Sequence, residues 1–312
     1  MKNVHKLTEG AVLLAVYAVL ILVTVFVPGL GIVTSLFLAV PFILFGAKNT
    51  RMNSFVFFIG ACLISIIVGA VLAIPLTLSY GLTGLVIGYF IQEKQSRLSS
   101  FIAATLVFLA TIIMQYVAAI AFFQINFIKE IMASTEEMFN RSITMVEELG
   151  QNIDVTPLKQ MLESFQLMET LTPSLFVTTA LMIVLLIEVI SFPIVKRFGI
   201  TIASWQPFRE LSLPKSILWY YLFTIFATFI FKPAEGSYWF MALVNIGFLI
   251  QLFMVVQGLS FIFYLCYKKG ISKAVPILAT ILIFIWPLFL SIVRILGIID
   301  LGFELKKRLE NH

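Results

Sequence analysis

Nine apolar runs divide the chain: Leu7 to Val27, Ile32 to Gly46, Phe55 to Leu72, Pro75 to Ile91, Phe101 to Phe123, Ser174 to Val195, Ser216 to Phe231, Tyr238 to Tyr267 and Val275 to Ile299. Most approach the ~20 residues that a helix needs to cross a bilayer. The polar breaks between them are short. The pattern predicts an all-α, polytopic helical membrane protein with eight to ten transmembrane helices. The second run is short and carries Pro41, and only Ala73 and Ile74 separate the third from the fourth. Such interrupted spans are tolerated where neighbouring helices satisfy the freed backbone groups, and they often line a cavity.

One insert breaks this regularity. Residues 125–172 contain Glu130, Glu136, Glu137, Glu147, Glu148, Asp154, Glu163 and Glu169, opposed only by Lys129, Arg141 and Lys159. Within it Ile128, Ile131, Met132, Met138, Phe139, Ile143, Val146 and Leu149 recur at three- and four-residue steps. Gly150 and Pro157 then break the pattern, and Leu158, Met161, Leu162, Phe165 and Met168 resume it. The expectation is an acidic helical hairpin with one apolar stripe. It either caps the bundle as a solvated element or forms a lid that attracts cations.

Charge sets the expected orientation. Lys2 and Lys6, then Lys48 and Arg51, Lys94 and Arg97, the set Lys196, Arg197, Arg209 and Lys215, and Lys268, Lys269 and Lys273 fall in alternate loops. The positive-inside rule assigns these to the cytoplasm, with a cytoplasmic N-terminus and an extracytoplasmic insert. Three regions follow: spans one to five in 1–124, the acidic hairpin in 125–172, and spans six to nine in 173–312 with a basic cytoplasmic loop at 196–215. The end conflicts with this scheme. A full ninth span would place Lys306, Lys307 and Arg308 outside, so either a span is miscounted or the last segment, with Trp286 and Pro287 at its middle, does not cross simply.

Composition agrees: 61% of residues are apolar and 12% charged, against roughly 45 to 50% and about 25% in soluble domains. The basic balance is sufficiently explained by orientation and anionic headgroups, so a lipid bilayer and other membrane proteins are expected as partners, and nucleic acid is not. Cys62 and Cys266 lie in apolar segments as core filler. Phosphate-loop, zinc-helix and nucleophile-elbow motifs are absent, and His5 and His312 sit at the two ends. The expectation is a protein that is not an enzyme and uses no cofactor or metal.

Candidate functional residues are therefore polar groups at bilayer depth, where an unpaired charge costs several kcal/mol. Glu188 and Arg294 are the ionisable ones, as an ion pair or as separately satisfied groups. Asn245, Gln251 and Gln257, with Gln115 and Asn126, either join helices or meet a solute. Ala11 with Ala15, and Gly84 with Gly88, place small residues one turn apart, where a neighbouring helix can approach closely.

The opening Leu7-Thr8-Glu9-Gly10-Ala11-Val12-Leu13-Leu14-Ala15, the stretch Val256-Gln257-Gly258-Leu259-Ser260 and the ending Leu296-Gly297-Ile298-Ile299-Asp300, followed by Lys306-Lys307-Arg308, resemble the YybS-like family of multi-pass membrane proteins of Firmicutes. More remotely, residues 1–195 look like the substrate-binding S components of energy-coupling factor transporters: six spans, a cytoplasmic N-terminus and an AxxxA in the first helix. That resemblance implies that Ala11 and Ala15 contact a transmembrane coupling subunit. It depicts a component that binds a small solute for uptake on a partner's ATPase power. The acidic hairpin and the helices after Ser216 depart from it. Two rivals stand beside it: a membrane scaffold or regulatory protein working through the hairpin and the loop from Lys196 to Lys215, and an ion-coupled transporter using Glu188 and Arg294.

Overall fold

The computed structural model describes residues 2–148, 156, 160–161, 165 and 168–310. No strand occurs among them. In lipid each backbone N–H and C=O must be satisfied within the chain, and helices achieve this segment by segment. The helices are α1 (Lys2–Phe26), α2 (Gly31–Ser35), α3 (Val40–Lys48), α4 (Arg51–Leu76), α5 (Leu82–Gln92), α6 (Arg97–Phe123) and α7 (Phe127–Glu148). There follow α8 (Thr172–Arg197), α9 (Ser216–Phe231), α10 (Tyr238–Lys268), α11 (Ala274–Ile285), α12 (Pro287–Phe303) and α13 (Leu305–Glu310). Among the described residues 7 stretches are long and apolar enough to cross a membrane, Gly31–Lys48 and Ala73–Gln92 each combining more than one of these elements, and Ser216–Phe231 and Ala274–Ile285 are shorter apolar helices.

The chain forms two compact units, Met1–Asn126 with Phe176–Ser204, and Phe127–Leu175 with Trp205–His312. In the first unit the third and fourth apolar runs have no loop between them. α4 continues through Pro75 into a π-helical turn, Thr77–Gly81, and then α5. This rod nevertheless doubles back. The Ser65 and Thr77 hydroxyl oxygens lie 2.6 Å apart, whereas twelve residues of straight helix span about 18 Å. At the far ends the Arg51 guanidinium donates to the Tyr89 hydroxyl. Gln115 from α6 donates to the Pro75 carbonyl at 3.1 Å and meets the Ser79 hydroxyl at 3.0 Å, satisfying polar groups at the irregular turn.

Aromatic side chains fill the interior of this unit. Phe42 meets Tyr17 and Phe57 edge to face at centroid separations of 5.0 and 5.4 Å, and Phe57 stacks on Phe45. The Tyr17 hydroxyl, buried among them, lies 2.6 Å from Thr77 Oγ1 and 3.0 Å from Ser65 Oγ, so three hydroxyls satisfy one another. Gly84 and Gly88 explain why α5 lies so close to α3: a Cβ at either would stand 2.7 Å from the Ala39 carbonyl oxygen or 2.8 Å from that of Ile43. Glu9 at the start of α1 pairs with Lys48 at the end of α3 at 2.8 Å. With Arg51 and Tyr89 this gathers the starts and ends of four helices at one basic end.

In the second unit, the acidic insert opens with α7, a 22-residue helix whose Arg141 pairs with Glu137 one turn away. Ile128, Met132, Phe139 and Ile143 are half-buried, while Ile131, Met138 and Met145 stand exposed at seven-residue intervals. At about 100° per residue all of these fall on one broad side of the helix, half-buried along one edge and exposed along the other. The break at Gly150 and Pro157, and most of the second arm with Asp154 and Glu163, lie outside the described residues.

The ninth run is two helices. Trp286 leaves helical geometry at φ −114° and ψ 106°, and Pro287 opens α12 at its first position, where no backbone N–H is needed. The 12 residues of α11 reach only about 18 Å, short of a bilayer's hydrocarbon core. α12 packs on α10 through two glycines: a Cβ at Gly258 or Gly297 would fall 2.0 Å from the carbonyl oxygen of Val293 or Met254. Past α12, Glu304 pairs with Lys215 at 3.1 Å, and Lys268 at the end of α10 donates to the Leu309 carbonyl. The basic tail therefore returns to the end of this unit that carries Lys215 and Lys268. The last run is bent at Trp286 and Pro287, and its basic tail lies with other basic residues of the same unit.

Candidate functional site

Two buried polar clusters organise the ends of the units. In the first, Glu188 sits fully buried on α8, and Arg97, at the first position of α6, reaches it with Nε 3.4 Å from Oε2. The guanidinium also lies over the Phe192 ring, 4.4 Å from its centroid. An adjacent pocket of about 290 Å³ is lined by Phe90, Ile91, Lys94 and Gln95 from the α5 end, Arg97 and Ser100 from α6, Phe192 from α8, and Thr201 to Ala203 after it. Ser96 caps α6 by accepting the Ser99 N–H at 3.1 Å. Lys94 takes φ 51°, closing α5 with its N–H on the Ile91 carbonyl and the Gln95 N–H on that of Phe90.

The second cluster lies where α10, the loop before α9 and the tail meet. Gln257 donates to Asp300 Oδ2 at 2.6 Å and accepts the Leu213 N–H at 2.9 Å. Lys306 Nζ donates to the Leu211 carbonyl and the Ser260 hydroxyl, each at 2.7 Å, and stands 3.7 Å from Asp300. Asp300 Oδ1 also accepts the Lys306 N–H at 3.2 Å. Burial pushes the Lys306 ammonium below its ordinary pKa, and Asp300 opposes that shift. The network fastens tail, loop and helix together. Asp300→Ala should strand Lys306 and loosen α13, so trypsin should cut at Lys306 to Arg308 about tenfold faster, while an unchanged cleavage rate would show the latch holds nothing.

The residues singled out by sequence are placed as follows. Glu188 meets Arg97, and Arg294 donates to Gln251, so the two ionisable groups have different partners. Asn245 accepts the Ser174 N–H at 2.8 Å and donates to the Thr170 and Met241 carbonyls, fastening the end of the acidic insert to α10. Tyr116 donates to Asn126 at 3.2 Å. Ala11 and Ala15 are both exposed on α1, beside Val12 and Val16. Gln257 and Asp300 meet, whereas Gln251 and Gln257 serve different partners. Cys62 and Cys266 are free thiols, each half-buried. Among the described residues no group of three His, Cys, Asp or Glu is arranged to hold a metal.

Sequence reasoning missed Arg97, Ser100, Ser260 and Lys306. Arg97 looked like a loop charge because it stands on the boundary of the polar break, and Lys306 looked like one of a solvated basic run. The available signal was Asp300, an acid at the end of an apolar run six residues before a lysine.

Residues 15–301 match the family of predicted membrane proteins designated DUF2232. The chain belongs to this DUF2232 family. The uncharacterised protein YybS of Bacillus subtilis (strain 168) is 29% identical over 314 residues, covering 99% of this chain and 100% of that relative. No solved structure matches the chain. The DUF2232 chain is thus an integral, multi-pass helical membrane protein of the YybS-like kind that its opening and closing motifs resembled. What those motifs have in common with the structure is packing: Gly258 and Gly297 lie within them, as do Gln257 and Asp300 of the tail network.

Proposed function

We propose that this DUF2232 protein is a non-enzymatic component that binds a small hydrophobic or amphipathic solute for uptake across the cell membrane, with energy supplied by ATPases on a partner. The observation that carries this is the outer face of α1. Ala11 and Ala15 stand exposed one turn apart, while Tyr17 and Ile21 on the other side are fully buried. A small pair facing outward leaves room for another helix's backbone, as the AxxxA of S components does for their coupling subunit. The six spans that resemble those components fall in one compact unit, Met1–Asn126 with Phe176–Ser204, which supports the same assignment. The basic end then faces the cytoplasm and the acidic insert the outside.

Affinity purification in mild detergent tests it. The wild type should retain a transmembrane coupling subunit with its ATPases, and Ala11→Leu/Ala15→Leu should reduce their recovery at least about tenfold without altering melting, because two isobutyl side chains in place of methyls hold the helices apart. Equal recovery with both chains, or none with either, counts against it.

A second reading, a membrane scaffold or regulatory protein that moves nothing, is favoured by the filled interior of the first unit, where Tyr17, Phe42, Ile43 and Ile87 are all 0% exposed. Site-specific crosslinking from the exposed face of α7 that captured one cell-envelope protein, with no solute retained in native mass spectrometry, would select it.

A further inference from the structure

We propose that the pocket between the end of α5, the start of α6 and the end of α8 binds the phosphate group of an anionic ligand whose apolar remainder lies along Phe90, Ile91 and Phe192. Charge is the first argument. Lys94 and Arg97 line the pocket, and Lys196 and Arg197 stand exposed at the end of the helix that supplies its far wall. The nearby carboxylates are each engaged by a cation, Glu93 by Arg51 at 3.6 Å and Glu188 by Arg97 at 3.4 Å. Among the described residues Lys94 has no acidic partner, so an excess of positive charge faces the cavity.

Ser100 is the second, independent argument. It is 4% exposed, lines the pocket, and its Oγ has no hydrogen-bond partner in the structure. A serine one turn into a helix can bond the carbonyl four residues back, and here it does not, so the hydroxyl behind the cavity wall is free to turn toward an acceptor arriving from the cavity. It belongs to the first turns of α6, where the helix dipole favours negative charge. Arg97 is held from behind by Glu188 and laid on Phe192, so its position is fixed before any ligand arrives.

Location supplies the ligand's other half. The pocket opens at the ends of three stretches long and apolar enough to cross a bilayer, Ala73–Gln92, Arg97–Phe123 and Thr172–Arg197, and the ends of such spans fall where phosphate headgroups meet acyl chains. Its volume of about 290 Å³ holds a headgroup and the first part of a chain, or a small phosphorylated solute. The shared chemistry is a phosphate ester with an apolar side. None of this depends on whether α1 engages a coupling subunit.

The test uses the full chain in a neutral detergent, with dihexanoyl phosphatidylglycerol, dihexanoyl phosphatidylcholine and glycerol 3-phosphate as probes and melting temperature as the readout. Lys94→Gly removes the charge at a residue whose φ of 51° suits glycine, so it should fold at least as well as the wild type. Ser100→Ala removes only the unsatisfied hydroxyl. Phosphatidylglycerol should raise Tm more than phosphatidylcholine, with apparent Kd weakened about tenfold or more in both variants. A shift by phosphatidylglycerol alone makes the bilayer the source, and an equal shift by glycerol 3-phosphate makes it a soluble phosphate ester. Either result, lost in the variants, supports the site. No shift by any probe, equal shifts by the two lipids, or shifts retained in Lys94→Gly, overturns it.

Discussion

Gly258→Ala and Gly297→Ala should each destabilise the second unit by about 3 kcal/mol or more, at the upper end of overpacking penalties. A single methyl group at either place would stand 2.0 Å from a backbone carbonyl oxygen of the facing helix. Flexible side chains yield to such an intrusion, but a helix backbone does not, so α10 and α12 must separate along their contact. Separation would also strain Gln257–Asp300 and Arg294–Gln251, which bridge the same pair of helices. Thermal unfolding of the purified protein, followed by intrinsic fluorescence, measures the loss. Gly29→Ala gives a contrast, since its neighbourhood is open and only its φ of 82° resists a side chain. Equal losses at Gly29 and Gly258 would refute the packing explanation.

Arg97→Met should cost about 3 to 5 kcal/mol, because it leaves the Glu188 carboxylate at 0% exposure without its cation. Arg97→Met/Glu188→Leu should recover most of that loss, since an apolar pair of similar volume carries no desolvation penalty. Glu188→Gln alone should fall between the two. The cycle is read from unfolding midpoints of all four chains. If the double variant is no better than Arg97→Met, the guanidinium acts through its contact with Phe192 and not through charge. The same series bears on the ion-coupled reading, which cannot stand if Glu188→Gln leaves both fold and phenotype unchanged.

Span placement was legible because lipid imposes one rule everywhere, and the nine apolar runs fall mainly on helix, the second broken at Leu36 to Ala39 and the ninth at Trp286. Where the rule gives no direction, the sequence was silent. Ala73 and Ile74 looked like the remnant of a loop, yet helix runs through them, and the reversal depends on Ser65, Thr77 and Tyr17, hydroxyls unremarkable in an apolar run. Trp286 and Pro287 did announce the break in the last run. Which way the chain went after it depended on Lys306 meeting Leu211, 95 residues away, and no local pattern encodes that. Glu188 was legible as a candidate because a carboxylate at bilayer depth is rare. Its partner was not, because Arg97 stands at a helix start where basic residues are ordinary.

The latch between the tail and the loop before α9 also sets an order of events during synthesis. Membrane segments enter the bilayer as they are made, and domains fold from the N-terminal side as the chain emerges. Leu211, Leu213, Gln257 and Ser260 are all in place before Asp300 and Lys306 exist to bridge them. The second unit can close only after the chain has been made through Lys306. Until then Gln257 and the Leu211 carbonyl wait without these partners. A fusion partner placed directly after α13 would load the helix that closes this latch.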